Sequence, residues 1–115
     1  MAVKVVMHGP VAVLSPEGTL WSDDKIVQLR EAIEDLKKKD NKHLVLDLGK
    51  VNHLNSTALG LLVAAHTNYT QRGGTVKLCA IEKKISSLLV ITKLSGVFDT
   101  YESVADALAS FAPQG

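Results

Sequence analysis

The sequence predicts an α/β fold in which one domain, residues 1–115, holds a mixed β-sheet and about four helices. Two valine-rich segments near the N-terminus are separated by Gly9-Pro10, which predicts an antiparallel hairpin. After this hairpin, apolar runs typical of strands alternate with segments whose apolar residues recur every three or four positions, as in helices. Such alternation predicts parallel strands connected by crossover helices.

The N-terminal hairpin is the first predicted element. Residues 2–7 and 11–15 have the β-branched composition of strands, and His8-Gly9-Pro10 between them is typical of a turn. Pro16 and Gly18 follow the second strand. Proline cannot donate to a strand ladder and glycine has no side chain to pack, so this end is predicted to be a bend or a sheet edge.

The first helix is predicted to begin after Ser22, a good N-cap residue. Asp23 and Asp24 then lie in the first turn, where the helix dipole favours negative charge. The helix is predicted to end at Asp40-Asn41, after a run of lysines that complements the other end of the dipole. Its apolar stripe consists of Ile26, Leu29, Ile33 and Leu36.

The central stretch of the chain combines a strand, a short polar loop and a second helix. Residues 43–48 are largely a continuous apolar run, the pattern of a strand buried on both faces. The helix is predicted from Thr57 to about Tyr69. Ser56 is its predicted N-cap, because a serine oxygen can accept an otherwise unpaired backbone N–H. Gly73-Gly74 is a typical signal for the end of a helix.

The last third of the chain repeats the alternation. Residues 75–80 alternate as a strand, residues 85–92 give a third amphipathic helix, and residues 97–101 are a short strand or extended segment. Ser103 followed by Asp106 is a capping-box pattern, which predicts the start of a final helix.

Composition indicates an ordinary globular protein. Hydrophobic residues make up 46% and charged residues 22%, and the formal net charge of +1 gives no argument for nucleic-acid binding. The single cysteine, Cys79, excludes an internal disulfide and is predicted to be a small buried residue of a strand. No apolar run reaches the roughly 20 residues that a membrane span needs. We therefore expect a cytoplasmic protein without a cofactor.

Several segments together resemble the STAS domains, the anti-sigma-factor antagonist family. The run Leu44-Val45-Leu46-Asp47-Leu48 is similar to the family's strand ending in Asp-Leu. Leu54-Asn55-Ser56-Thr57-Ala58-Leu59-Gly60 is similar to its Asp-Ser-Ser-Gly-Leu-Gly helix start. Further family segments resemble Arg72-Gly73-Gly74, Leu94-Ser95-Gly96-Val97-Phe98 and residues 101–108. The resemblance covers essentially the whole chain and implies a single STAS-like domain.

The resemblance implies a non-catalytic protein that docks onto an anti-sigma factor, a serine/threonine kinase or a related regulatory subunit. The full set of apolar core stripes predicts that the isolated chain is a monomer or weak dimer. In the antagonist branch of the family, phosphorylation of the first hydroxyl after the signature Asp breaks this docking. That position matches Ser56, and the second hydroxyl matches Thr57. The residues expected to bind the partner are Leu54, Asn55, Ser56, Thr57, Trp21 and Asp23. Trp21 would be a typical interface anchor if its side chain is exposed, whereas packing inside the domain is the commoner fate of a lone tryptophan.

Three positions differ from the family pattern. Asn55 stands where the family has the acid before the phosphorylated serine, and Ala58 stands where it has glycine. Trp21 stands where the family's Gly-Glu-Leu-Asp segment ends in an acid. These differences favour a second hypothesis, in which the chain is a constitutive STAS subunit of a larger assembly and is not phosphorylated. Stress-signalling complexes and lipid-transport ATPases contain such subunits.

Enzymatic hypotheses find less support in the sequence. A phosphoacceptor role for Asp47 would need further acids to hold a divalent cation, and the first strand ends instead in Val6-Met7-His8. A serine hydrolase built on Ser56 would need a base and an oxyanion hole, and the sequence lacks the Gly-x-Ser-x-Gly elbow. Asp47 is predicted to accept hydrogen bonds from nearby loop N–H groups.

Overall fold

The computed structural model describes residues 3–20 and 23–111. Its strands in chain order are β1 (Val3–His8), β2 (Val11–Pro16), β3 (Gly18–Leu20), β4 (His43–Asp47), β5 (Val51–Leu54), β6 (Thr75–Cys79) and β7 (Asp99–Tyr101). Its helices are α1 (Asp23–Lys38), α2 (Ser56–Gln71), α3 (Lys83–Ile91) and α4 (Val104–Ala109). Helix α1 lies between β3 and β4, α2 follows β5, α3 follows β6, and α4 follows β7.

Five of the strands form one mixed sheet with the order β1-β2-β4-β6-β7. β1 and β2 pair antiparallel, from Val3 opposite Pro16 to His8 opposite Val11, which confirms the predicted hairpin. β2, β4, β6 and β7 pair parallel, as the alternation of strands and helices predicted. The antiparallel member of this sheet is therefore β1, which lies at its edge.

A second, two-stranded sheet was not predicted. β3 and β5 pair parallel, with Leu20 opposite Leu54. The sequence interpretation missed this sheet, because it expected a bend or a sheet edge after the second strand and a short polar loop between the central strand and the second helix. These strands have only three and four residues, too few to show a clear alternation of apolar and polar side chains.

The five-stranded sheet carries a core on each face, because successive side chains of a strand point to opposite sides. The larger core contains Val76 and Leu78 of β6 together with buried residues of α1, α2 and α3. The smaller core contains Val45 and Cys79, and α4 contributes Ala107 to it. The predicted alternation along β6 and the predicted burial of Cys79 are thus confirmed.

Helix α1 packs on the larger core as its apolar stripe predicted. All four stripe residues are 4% exposed or less. Asp40 adopts a left-handed conformation (φ 59°) just after the helix, and the Asn41 N–H bonds back to the Leu36 carbonyl at 3.0 Å. The predicted N-cap Ser22 lies outside the described residues. α1 and α2 have 16 residues each, and no helix in the described ranges has the length and apolar character to cross a membrane.

The glycines after α2 end the helix as predicted. Gly73 adopts a left-handed conformation (φ 80°), and the Gly74 N–H bonds to the Tyr69 carbonyl at 2.7 Å. This pattern is a Schellman motif, which satisfies carbonyls at the helix end. Gly74 then passes so close to the backbone of Lys42 that a β-carbon would overlap the Lys42 carbonyl oxygen. The close approach leads the chain into β6 beside β4.

Candidate functional site

Strand β5 passes into helix α2 through a single residue, Asn55. Its backbone is extended (φ −97°, ψ 178°), and its Oδ1 accepts the N–H of Ala58 at 2.9 Å. Its carbonyl accepts the N–H of Leu59 at 3.0 Å. Asn55 is therefore the N-cap of α2, and the prediction that Ser56 has this role was wrong. Asparagine caps a helix about as well as serine does, so residue preference alone could not distinguish two adjacent candidates.

Ser56 and Thr57 are the first two residues of α2, and both side chains are exposed. Within the described ranges the Ser56 hydroxyl makes no hydrogen bond. The first turn has no acidic residue, and the 16 residues of α2 include no Asp, Glu, Lys or Arg. A negative group added at Ser56 would thus meet the positive end of the helix dipole and no like charge on the same helix.

Strand β5, which precedes the Asn55 cap, contains both core and surface residues. Val51 and Leu54 are buried, whereas Asn52 and His53 are exposed. Leu54 is only 3% exposed and belongs to the larger core, so the expectation that it lies on a partner-facing surface was wrong. Ala58, which stands where the family signature has glycine, is fully buried as well.

The β3–β5 pair brings two distant parts of the chain together. Because Leu20 lies opposite Leu54 and the strands are parallel, the chain leaves both strands at the same end of this small sheet. One exit leads to α1, which begins at Asp23, and the other leads to Asn55 and Ser56. Trp21 lies outside the described residues. The sequence analysis expected the residues at the start of α1 and the residues at the start of α2 to bind the partner, without relating the two segments in space. The pairing of β3 with β5 places the starts of these two segments side by side.

Asp47 has a structural role in the loop before β5. Its Oδ1 accepts the N–H of Gly49 at 3.0 Å, and its Oδ2 accepts the hydroxyl of Ser15 at 3.3 Å. The first contact confirms the prediction that Asp47 accepts a loop N–H. The second ties the loop to β2, a contact between residues that are 32 positions apart.

Beyond its first turn, α2 presents a small and uncharged outer face. The inner face is buried against the larger core through Ala58, Leu59, Leu62, Ala65 and Tyr69. The exposed positions that follow Ser56 and Thr57 are Gly60, Ala64, Thr67, Thr70 and Gln71. We call Asn52, His53, Ser56, Thr57 and Gly60 the α2 entry surface.

Two other side chains of types that commonly carry chemistry, Cys79 and His66, are engaged in packing. Cys79 is fully buried, and burial together with the nearby Asp47 charge raises the pKa of its thiol to about 12. The His66 ring packs edge-on against Phe98, with ring centroids 5.3 Å apart, as expected for a core or boundary histidine. Within the described part of the chain, no three His, Cys, Asp or Glu side chains are grouped to hold a metal ion.

The mixed sheet with its N-terminal hairpin, and the helix entry that exposes two hydroxyls, define the class of STAS-like α/β domains. The family model of the STAS domain matches residues 2–107, and the chain belongs to this family. The anti-sigma F factor antagonist of Paenibacillus polymyxa is 24% identical over 111 residues. The match covers 94% of this chain and 92% of that relative.

Two solved structures show the same architecture. The crystal structure of an anti-sigma factor antagonist from Mycobacterium paratuberculosis has a TM-score of 0.83 and 25% identity, covering 94% of this chain and 91% of the other. The Bacillus cell fate determinant SpoIIAA in its phosphorylated form has a TM-score of 0.79, covering 96% of this chain and all of the other. Its identity is 14%, so this second likeness concerns the fold alone. The predicted fold class is confirmed.

Proposed function

We propose that this chain is an anti-sigma factor antagonist that binds an anti-sigma factor or serine/threonine kinase, with binding controlled by phosphorylation of Ser56. The observation that carries the proposal is the exposed Ser56 hydroxyl on the first turn of α2, with helix capping performed by Asn55. The names of the Paenibacillus and Mycobacterium relatives support this class of partner. In this proposal the chain supplies the acceptor hydroxyl and the partner supplies the catalysis.

The proposal requires that a phosphate on Ser56 leave the fold intact. The Ser56 side chain is exposed, and the cap bond from Asn55 to Ala58 does not involve its hydroxyl. The first N–H groups of a helix have no partner within the helix, and they favour an anion nearby. Phosphorylation is therefore expected to leave the stability of the domain unchanged or slightly higher.

The same phosphate is expected to disrupt docking. The helical part of the α2 entry surface is small and uncharged, which suits close contact with a partner. A phosphate adds about −1.5 to −2 charges and is strongly hydrated, so covering it with a partner surface carries a desolvation cost. Thr57, one position further along the helix, is the fallback acceptor in case Asn55 makes Ser56 a poor one. We expect Trp21 and Asp23 to extend the contact, because α1 begins beside this surface.

The test uses the purified chain, ATP and each anti-sigma-factor kinase encoded by the source organism. Intact-mass measurement should show the gain of one phosphate on the wild type and on Thr57→Ala, and no gain on Ser56→Ala. The phosphorylated chain should then fail to bind the kinase that the unmodified chain binds. Absence of phosphate transfer from kinases that are active on another substrate would contradict phosphorylation control, and so would equal binding of the two forms.

One observation favours the second candidate, a constitutive subunit of a larger STAS assembly. The N-cap is neutral Asn55 rather than an acid, and the first turn of α2 contains no acidic residue. The same experiment distinguishes the candidates. A constitutive subunit would remain stably bound to its partner in the presence of ATP and would gain no phosphate.

A further inference from the structure

Strand β1 exposes an apolar surface that the docking proposal does not use. It is the edge strand of the five-stranded sheet, and within the described residues no strand pairs with its outer side. Five of its six residues are exposed. Three of these are large hydrophobic residues, namely Val5 at 45%, Val6 at 37% and Met7 at 52% exposure. Edge strands of this kind offer a row of backbone donors and acceptors for pairing with another strand.

The hairpin geometry determines which residues of β1 offer these groups. His8 and Val11 flank a two-residue loop, so they form a hydrogen-bonded pair, and such pairs alternate along an antiparallel ladder. The residues that bond to β2 are thus His8, Val6 and Lys4. Val3, Val5 and Met7 direct their backbone N–H and C=O groups away from β2, toward the outer side.

Natural proteins usually protect such an edge, and β1 has few of these protections. The pairing with β2 is regular over all six residues, without a bulge, and the strand contains no proline. Lys4 is its one lysine. Edge strands commonly avoid association through bulges, prolines, inward charges or a covering element. Such an edge is open to pairing with a strand of another molecule.

A groove continues this apolar surface toward helix α1. It has a volume of about 580 Å³, and its apolar lining includes Val5, Met7, Ala32 and Leu36. Its charged rim carries two acids and two lysines, namely Asp35, Asp40, Lys39 and Lys42. A two-fold interface places the same surface on both sides, so a rim of balanced charge can complement itself, whereas a rim of one sign would repel.

We propose that β1 pairs antiparallel with β1 of a second copy of this chain, about a two-fold axis that passes through Val5. Val5 then lies opposite Val5, and Val3 lies opposite Met7, which uses the three residues with outward backbone groups. Lys4 lies opposite Val6, so the lysines of the two copies do not face each other. The two five-stranded sheets become one continuous sheet of ten strands.

The proposed register predicts that cysteines introduced at position 5 of the two copies can form a disulfide bond. Residues that form a hydrogen-bonded antiparallel pair have Cα atoms about 5.5 Å apart, within the range of disulfide bonds. Val5→Cys should therefore form a covalent dimer under mild oxidation with oxidised glutathione. The native Cys79 is buried and its raised thiol pKa keeps it protonated, so it does not compete. Val27→Cys on α1, with 41% exposure in the wild type, is the matched control and should stay largely monomeric.

Sedimentation velocity of the full chain provides the second readout. The wild type should shift from monomer to dimer as concentration rises, and Val5→Lys should remain monomeric while keeping its circular dichroism spectrum. Val27→Lys should dimerise like the wild type. A wild type that stays monomeric at every concentration would overturn the proposal. So would a Val5→Lys variant that still dimerises, or Val5→Cys crosslinking no faster than the control. The interface shares no residue with the α2 entry surface, so these results are independent of phosphorylation.

Discussion

The Tyr69 hydroxyl donates a hydrogen bond of 2.8 Å to Oδ1 of Asn41, and both residues are buried. Asn41 in turn donates from Nδ2 to the Pro10 carbonyl at 3.3 Å. Arg72 donates to the Asn41 carbonyl at 3.0 Å, and its guanidinium lies over the Tyr69 ring, 4.6 Å from the centroid. This network joins the end of α2 to the turns before β2 and β4.

Tyr69→Phe should destabilise the domain, because it removes the donor and leaves the buried Asn41 oxygen without this partner. The expected loss is about 1–3 kcal/mol in the free energy of unfolding. Urea unfolding measures it. Tyr101→Phe is the matched control and should stay within about 0.5 kcal/mol of wild type, because Tyr101 is only partly buried. Equal stability of the two variants would show that the Tyr69 hydrogen bond contributes nothing.

Asn55→Ala and Ser56→Ala should differ in their effect on stability, since only Asn55 caps α2. Loss of the cap is expected to cost about 0.5–2 kcal/mol, whereas Ser56→Ala should be nearly neutral. Asn55→Asp should retain the cap and benefit from the helix dipole. Chemical unfolding of the three variants compares them directly. A larger loss for Ser56→Ala than for Asn55→Ala would contradict the assignment.

Two glycine substitutions should change stability in opposite directions. Gly74→Ala places a β-carbon against the Lys42 carbonyl, and this overlap is expected to cost about 1–3 kcal/mol. Gly60→Ala lies on the exposed side of α2 with no atom within 4 Å of the added carbon. It should stabilise the domain by about 0.5–1 kcal/mol, because alanine favours a helix more than glycine does. Thermal unfolding should give a lower midpoint temperature for Gly74→Ala than for the wild type, and a higher one for Gly60→Ala.

Cys79 should make the domain less stable in alkaline solution. Burial raises the pKa of its thiol from 9.0 to about 12, so the unfolded chain releases this proton at lower pH than the folded chain. The stabilisation is fully present below pH 9 and is lost as pH rises toward 12, with a slope of up to about 1.4 kcal/mol per pH unit from this group. Cys79→Ala removes this contribution. Its unfolding free energy, measured between pH 9 and 10.5, should fall less steeply than that of the wild type.

The sequence by itself determined the helices and strands that are specified by residue patterns within a short stretch of the chain. The hairpin follows from valine-rich strands around Gly9-Pro10, and the last helix from its capping box. The Ser103 hydroxyl accepts the Asp106 N–H at 3.1 Å, as that pattern predicted. The apolar stripe of α1 and the alternation in β6 were likewise predicted. In each case the deciding interactions lie within a few residues of the chain, so the spacing of residue types is sufficient.

The tertiary structure alone decided the features that depend on distant partners. β3 and β5 exist as strands because each supplies the other's hydrogen bonds across 30 or more positions, and neither is long enough to show a pattern of its own. That pairing also places Leu54 in the core and lets the helix begin at Ser56 with Asn55 as its cap. Lys77 is only 8% exposed, and its Nζ lies 4.1 Å from the centroid of the distant Phe111 ring and donates to the Ser110 hydroxyl at 2.6 Å. Burial and hydrogen bonding depend on which segments meet in space, and local spacing does not specify that.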